Sequence, residues 1–303
     1  MSKIKTWVSA ARLRTLPLSI SGIIVGTACA FPFYATHDNF YLIFLFAIIT
    51  TLLFQILSNF ANDYGDGVKG TDNENRVGPQ RALQSGLLTR AELKRGIILT
   101  AGLSLVSALI LIYFSFGKDH FFTSLFFFVL GISCVAAAIK YTVGQSAYGY
   151  RGLGDLFVFI FFGLVSVMGC FYLYGQTINP WIILPAVAVG NLSIAVLNIN
   201  NMRDLDADKV VGKNTLAVKL GREKAKRYHY FIIIFALVAF IIYGIYSEKP
   251  WLNFAFVIAY FPLIKHLIFV KNNTDPRALD SQMKIVALST FLVSVLFSLA
   301  LIL

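Results

Sequence analysis

The chain has 303 residues, 57% hydrophobic and 14% charged, with a mean hydropathy of +0.73. Soluble domains carry about 25% charged residues, so a water-soluble core is excluded. The net charge of +11 fits membrane topology and attraction to anionic lipid, and equally a basic mouth for an anionic substrate where it clusters near acidic residues; no motif supports nucleic acid, which is not expected as a partner.

Apolar runs near 20 residues long span a bilayer as helices. Nine are expected: Leu16–Phe33, Phe40–Ala61, Gly96–Phe116, Phe121–Ile139, Leu153–Tyr174, Trp181–Asn201, Tyr228–Tyr246, Trp251–Phe269 and Ile285–Leu303. Basic residues before the first run mimic a signal peptide. Eight further runs follow, so the first is read as a retained span. The expectation is one all-α integral-membrane domain over residues 1–303, with nine spans around a central cavity.

Four connections are long and polar: Asn62–Arg95, Lys140–Gly152, Met202–Arg227 and Lys271–Lys284. With the N-terminal tail and Lys265 at a helix end, they hold every Lys and Arg except Lys118 and Lys249. By the positive-inside pattern the tail and these loops are expected in the cytoplasm and the C-terminus outside, in the cell (inner) membrane.

Cys29, Cys134 and Cys170 sit inside apolar runs without a CxxC partner, so neither a disulfide nor a thiolate metal site is expected. The four histidines, His37, His120, His229 and His266, are scattered without metal-ligand spacing. The 28 Phe and 14 Tyr mostly serve lipid and helix contacts. Together they also suit an apolar pocket or the shielding of a cation.

More than half of the 15 acids fall in two windows, where a span reaches the basic side: Asp63, Asp66, Asp72 and Glu74, then Asp204, Asp206, Asp208 and Glu223. On a helix Asn59, Asn62 or Asp63, and Asp66 form one stripe, and Asn201, Asp204 and Asp208 another. Stacked carboxylates repel, and a bound cation relieves that. Oxygen-only Asp and Asn ligands suit Mg²⁺, which takes one or two carboxylates plus substrate phosphates. Asn62, Asp66, Asp204 and Asp208 are the expected ligands, with Asp63 and Asp72 next. Asp72 has a second reading, in which it positions Lys69 or Arg76. Two facing stripes would hold a diphosphate between them. Lys69, Arg81, Arg203 and Lys213 are the expected phosphate partners, Arg as a bidentate donor and Lys as a point charge. Arg222, Lys224, Lys226 and Arg227 are read as flanking a helix start and anchoring it to lipid.

These residues carry a pattern. The chain resembles the UbiA-type superfamily of intramembrane aromatic prenyltransferases along almost its whole length. Asn62-xxx-Asp66 and Asp204-xxx-Asp208 match its two acidic elements. The first element's third acid is missing: position 70 is Gly, and Asp72 lies two residues on. That departure is similar to the 1,4-dihydroxy-2-naphthoate branch of menaquinone synthesis. So are Ala11-Arg12-Leu13-Arg14-Thr15-Leu16-Pro17, Arg76-Val77-Gly78-Pro79-Gln80-Arg81, Tyr141-Thr142-Val143-Gly144, Tyr150-Arg151-Gly152-Leu153-Gly154-Asp155 and Gly212-Lys213-Asn214-Thr215.

The resemblance implies a polyprenyl diphosphate donor, a 1,4-dihydroxy-2-naphthoate acceptor that loses its carboxyl as CO₂, and dependence on Mg²⁺. On that reading Asp66, Asp208, Asp63 and Asp204 are the catalytic acids. Asn59, Asn62, Lys69, Asp72, Arg81, Lys140, Asn201, Arg203 and Lys213 contact substrate, and Tyr141, Tyr150 and Arg151 organise the acceptor end. The Gly/Tyr-rich segment reads equally well as a compact lid or helix connector.

Another aromatic acceptor, 4-hydroxybenzoate or homogentisate, would use the same acids. A CDP-alcohol phosphotransferase would follow Asp63-xx-Asp66-Gly67 with Ala-Arg and a nearby second acidic pair, which Val68-Lys69 does not provide. A cation-coupled transporter would place its acids near the middle of spans rather than at their ends.

Overall fold

The computed structural model describes residues 2–72, 77–247 and 251–303, the last from Phe254 onward for side chains. Glu74 and Arg76, expected near the site, and Lys249 on the opposite side lie outside the described residues.

Among the described residues nine helical stretches are long and apolar enough to cross a membrane, at the expected places. The helices are α1 (Lys3–Ala11), α2 (Leu16–Tyr34), α3 (Phe40–Lys69), α4 (Arg90–Phe116) and α5 (Phe121–Lys140). The fifth span joins α6 (Gly154–Val158), a π-helix (Phe159–Gly169) and α7 (Cys170–Gly175). Then come α8 (Ile183–Arg203), the short α9 (Leu205–Val210) and α10 (Leu216–Leu220), α11 (Arg222–Tyr246), α12 (Tyr260–Asn272) and α13 (Leu279–Ile302).

Polar ends extend several spans beyond their apolar runs. The second is helical to Lys69 rather than to Ala61, so the first acidic window is the last part of a span. α4 starts six residues before the expected Gly96, where Thr89 and Glu92 form a reciprocal capping box. The eighth span begins as a 3₁₀-helix, Trp251–Ala259.

α1 was read only as a basic tail. It is a short helix laid on α3, with Trp7 against Phe60 at 5.2 Å and the Ala11 carbonyl accepting from Asn59 Nδ2 at 2.9 Å.

Spans approach closely where small residues allow it, as expected when lipid is as apolar as the helices themselves. A Cβ at Gly163 would stand 2.6 Å from the Ala186 carbonyl oxygen, and one at Gly190 would meet Phe159. The π-helix and α8 therefore touch backbone to backbone. The π-helix is 11 residues long, well beyond the usual single turn. Its wide turns align Phe161, Val165 and Gly169 with Phe157 and Leu173 along one wall of a central cavity.

The second half of the bundle has an aromatic core. Its core includes Phe240, Phe256 and Phe297 in mutual contact. Two of the scattered histidines meet there: His229 Nε2 lies 2.8 Å from His266 Nε2, with Asn198 and Gln282 completing the hydrogen bonds. Four spans are thus tied through polar side chains.

Candidate active site

α3 ends in a helix stop that shapes the first acidic window. Gly70 takes φ +72°, a left-handed value that costs an L side chain about 1–2 kcal/mol. Its N–H and that of Thr71 return to the Asp66 carbonyl. The chain therefore reverses four residues after Asp66. Asp72, which sequence spacing leaves off the helical stripe, comes back beside the helix from the turn.

Asp63 accepts from the Ala82 and Leu83 amides at 3.1 and 3.3 Å. It staples the returning loop to α3 and so delivers Arg81. Asp63, expected among the catalytic acids, thus has a backbone donor on each of its oxygens. Arg81 reaches Asp66 through Nη2 and Asp72 through Nε, each at 3.4 Å, and its buried Nη1 makes no hydrogen bond. Asp66, 2% exposed, also accepts from the Tyr150 hydroxyl at 2.8 Å. Asn62 faces the cavity and accepts from Thr142 at 3.3 Å. Asn59 shares that wall but spends its amide on Ala11 and Thr15, so it braces the α1–α2 junction rather than offering a free donor.

The second window departs from the expected stripe. α8 stops at Arg203, and Asp204 is the junction before α9. Arg203 clasps Asp204 with Nε and Nη2 at 2.9 and 2.7 Å, and also binds Asp280 and Asn200. It is 2% exposed and four of its five N–H groups are used. The expectation of a phosphate-binding Arg203 is therefore corrected to that of a buried clamp. Asp204 gives both oxygens to it. Asn201 is buried within α8. Asp208 is buried one turn on, with Lys213 Nζ at 3.7 Å.

The two windows meet through the loop after α5. The Tyr150 ring lies 3.9 Å from Lys69 Nζ and 5.4 Å from Lys213 Nζ. Its hydroxyl hydrogen-bonds Thr71, and its carbonyl accepts from Asn214. Burial, then the Asp66 charge, pushes the Tyr150 phenol above its ordinary range. Burial does the same to Tyr141, with Asp155 next and Asp66 and Asp208 both contributing. Both phenols therefore stay protonated donors at neutral pH.

Lys140 and Arg151, expected at the substrate, are exposed instead: Lys140 ends the lipid-facing α5, and the Arg151 carbonyl accepts from Lys219. Sequence reasoning missed Asp280, whose partner is far away in the chain, and Thr71, whose position inside the first window was the available signal.

Below this cluster lies the cavity, about 320 Å³, which is mainly apolar. Asn62, Tyr141 and Tyr148 rim its charged end, and Phe161, Val165, Leu111 and Phe127 line its depth. The candidate donors Asn62, Asp66, Asp72 and Asp208 would all offer oxygens, a set that fits a hard cation such as Mg²⁺. Among the described residues no three acids converge as a complete ion cage.

An apolar cavity capped by carboxylates and cations, inside a helical membrane bundle, defines an intramembrane protein built for a lipid-like anion. Residues 23–300 match the UbiA prenyltransferase family, and the chain belongs to it. It is 42% identical to the 1,4-dihydroxy-2-naphthoate octaprenyltransferase of Haemophilus influenzae, over 99% of this chain and 96% of that one. Identity to the Escherichia coli protein of the same name is also 42%, over 98% and 95%. In fold it is similar to a UbiA homolog from Archaeoglobus fulgidus bound to DMAPP and Mg²⁺, with TM-score 0.60, 14% identity, and 98% and 99% of the two chains covered. A structure of digeranylgeranylglyceryl phosphate synthase superposes with TM-score 0.58 at 20% identity, covering 100% and 99%.

Proposed function

We propose that this membrane enzyme transfers a polyprenyl group from polyprenyl diphosphate to 1,4-dihydroxy-2-naphthoate. CO₂ and diphosphate are lost, and demethylmenaquinol forms for menaquinone synthesis. The observation that carries the reading is an apolar cavity whose lining includes Asn62 and Tyr141, in a chain where Tyr150 joins Asp66, Lys69 and Lys213 and where Arg81 pairs with Asp66 and Lys213 with Asp208. The full-length relatives support the acceptor.

Asn62, Asp66, Asp208 and Asp72 are the residues that would hold Mg²⁺, which when bound would supply charge neutralisation for a departing diphosphate. Asp204, clasped by Arg203, orients the helix break that presents Asp208. Arg81, Lys69 and Lys213 meet the same anion. The allylic C–O bond breaks with its electron pair going to the diphosphate. The Tyr148, Phe157 and Phe161 rings face the resulting cation and exclude water. A ring carbon of the electron-rich naphthoate then attacks it, and the carboxyl leaves as CO₂.

The acids sit at span ends, which supports this reading over a transporter. They do not choose among acceptors. Purified enzyme given a long-chain prenyl diphosphate should prenylate 1,4-dihydroxy-2-naphthoate with CO₂ release, and 4-hydroxybenzoate or homogentisate poorly. Preferred turnover of 4-hydroxybenzoate with its carboxylate retained would defeat the acceptor assignment and leave the family intact.

The charge asymmetry supports a site at the cytoplasmic face of the cell membrane. In a background lacking Cys29, Cys134 and Cys170, Gln80→Cys should react with an impermeant maleimide only from the cytoplasm, and Asp38→Cys only from outside. The reverse pattern would invert the orientation.

A further inference from the structure

Tyr150 touches both acidic helix ends. Its hydroxyl is bonded to Asp66 and Thr71 of the first, and its carbonyl to the Asn214 amide of the second. Lys69 from the first and Lys213 from the second approach its ring. Lys69 forms no ion pair among the described residues. Lys213 stands 3.7 Å from Asp208, longer than the ~2.7–2.9 Å of a charge-assisted hydrogen bond. Two ammonium groups are thus gathered at one ring, and the Lys213 one is held to Asp208 only by a long ion pair. The aromatic face offsets part of their repulsion. An anion arriving between them would offset the rest.

The geometry points to Tyr150 as a positioning residue for the diphosphate. Its ring holds Lys69 and Lys213 as a pair, and its hydroxyl fixes the Asp66 carboxylate, so both helix ends address one leaving group. This deepens the prenyl-transfer reading and rests on it. It moves Tyr150 from the acceptor end, where the sequence placed it, to the phosphate end.

The test uses the full-length enzyme in detergent, with inorganic pyrophosphate and Mg²⁺ as the probe. Binding is read by calorimetry, and product inhibition and the acceptor KM by kinetics. Tyr150→Leu should weaken pyrophosphate about tenfold and leave the acceptor KM within about twofold. Tyr150→Phe keeps the ring and should weaken it about threefold. Lys69→Met should weaken pyrophosphate in the wild-type background and add little on top of Tyr150→Leu, since the lysine is then already unplaced. A structural defect alone would not give that non-additivity. Should Tyr150→Leu fail to fold, Tyr150→Phe decides by the same split between pyrophosphate affinity and acceptor KM. Unchanged pyrophosphate affinity, a raised acceptor KM in its place, or fully additive effects would overturn the assignment while leaving the prenyl-transfer reading standing. A wild-type enzyme that does not bind pyrophosphate with Mg²⁺ would overturn both.

Discussion

At the end of α3, acids and cations come from different segments: Asp66 from the helix, Asp72 from the turn, Arg81 from the loop and Tyr150 from beyond α5. Their ion-pair contacts are long, at 3.4 Å. At the end of α8 the acid and its cation are neighbours in sequence, and Arg203 grips Asp204 at 2.7 and 2.9 Å. The first end is assembled loosely enough for a ligand to rearrange it. The second is locked before any ligand arrives, and it offers mainly Asp208. Similar acidic spacing in the sequence therefore yields one adaptable surface and one rigid one.

The sharpest way to break this comparison is to unlock the second end. Arg203→Met leaves Asp204 and Asp280 without their buried partner and should cost about 3–5 kcal/mol of stability. Thermal unfolding in detergent measures it, and an unchanged Tm would show that the clamp is incidental. The acids facing the leaving group behave differently. Asp66→Asn and Asp208→Asn should remain folded yet lose turnover at least about a hundredfold, close to 2.7 kcal/mol. Normal prenyl transfer by either would remove that end from the chemistry. The smallest effect concerns the helix stop. Gly70→Ala keeps open space around its Cβ but must adopt φ +72°. A loss of about 1–2 kcal/mol is expected, with Gly70→Asn milder because Asn tolerates that conformation. Equal stability of all three would mean that α3 does not end through its left-handed residue.

The spans were legible because length and hydropathy are summed properties of twenty residues. The acids were legible because charge near a bilayer is rare. Which partner each charge takes was not. Arg203 reads as a phosphate ligand until Asp280, in another span, is brought beside it. Asp63 and Asp66 look alike in sequence, and only the return of Ala82 and Leu83 separates stapling from chemistry. The π-helix was also hidden, since Phe159–Gly169 has the apolar composition of any span. Tyr150 is conspicuous in sequence, but its contacts to Asp66, Thr71 and Asn214 are not, because these neighbours come from two other loops.

The cavity wall has a thermodynamic consequence. Only 6% of the apolar stretch of Phe121–Lys140 is buried within the protein, against 78% for Pro180–Arg203. α5 therefore divides the cavity from lipid by a single layer about 10–12 Å across. A prenyl tail entering from the bilayer leaves one hydrocarbon medium for another, so it gains none of the roughly 25 cal/mol per Å² that transfer out of water would give. The reference state for the tail is lipid, and its partition between bilayer and cavity is close to neutral whatever its length. Affinity for the donor must then reside almost wholly in the diphosphate.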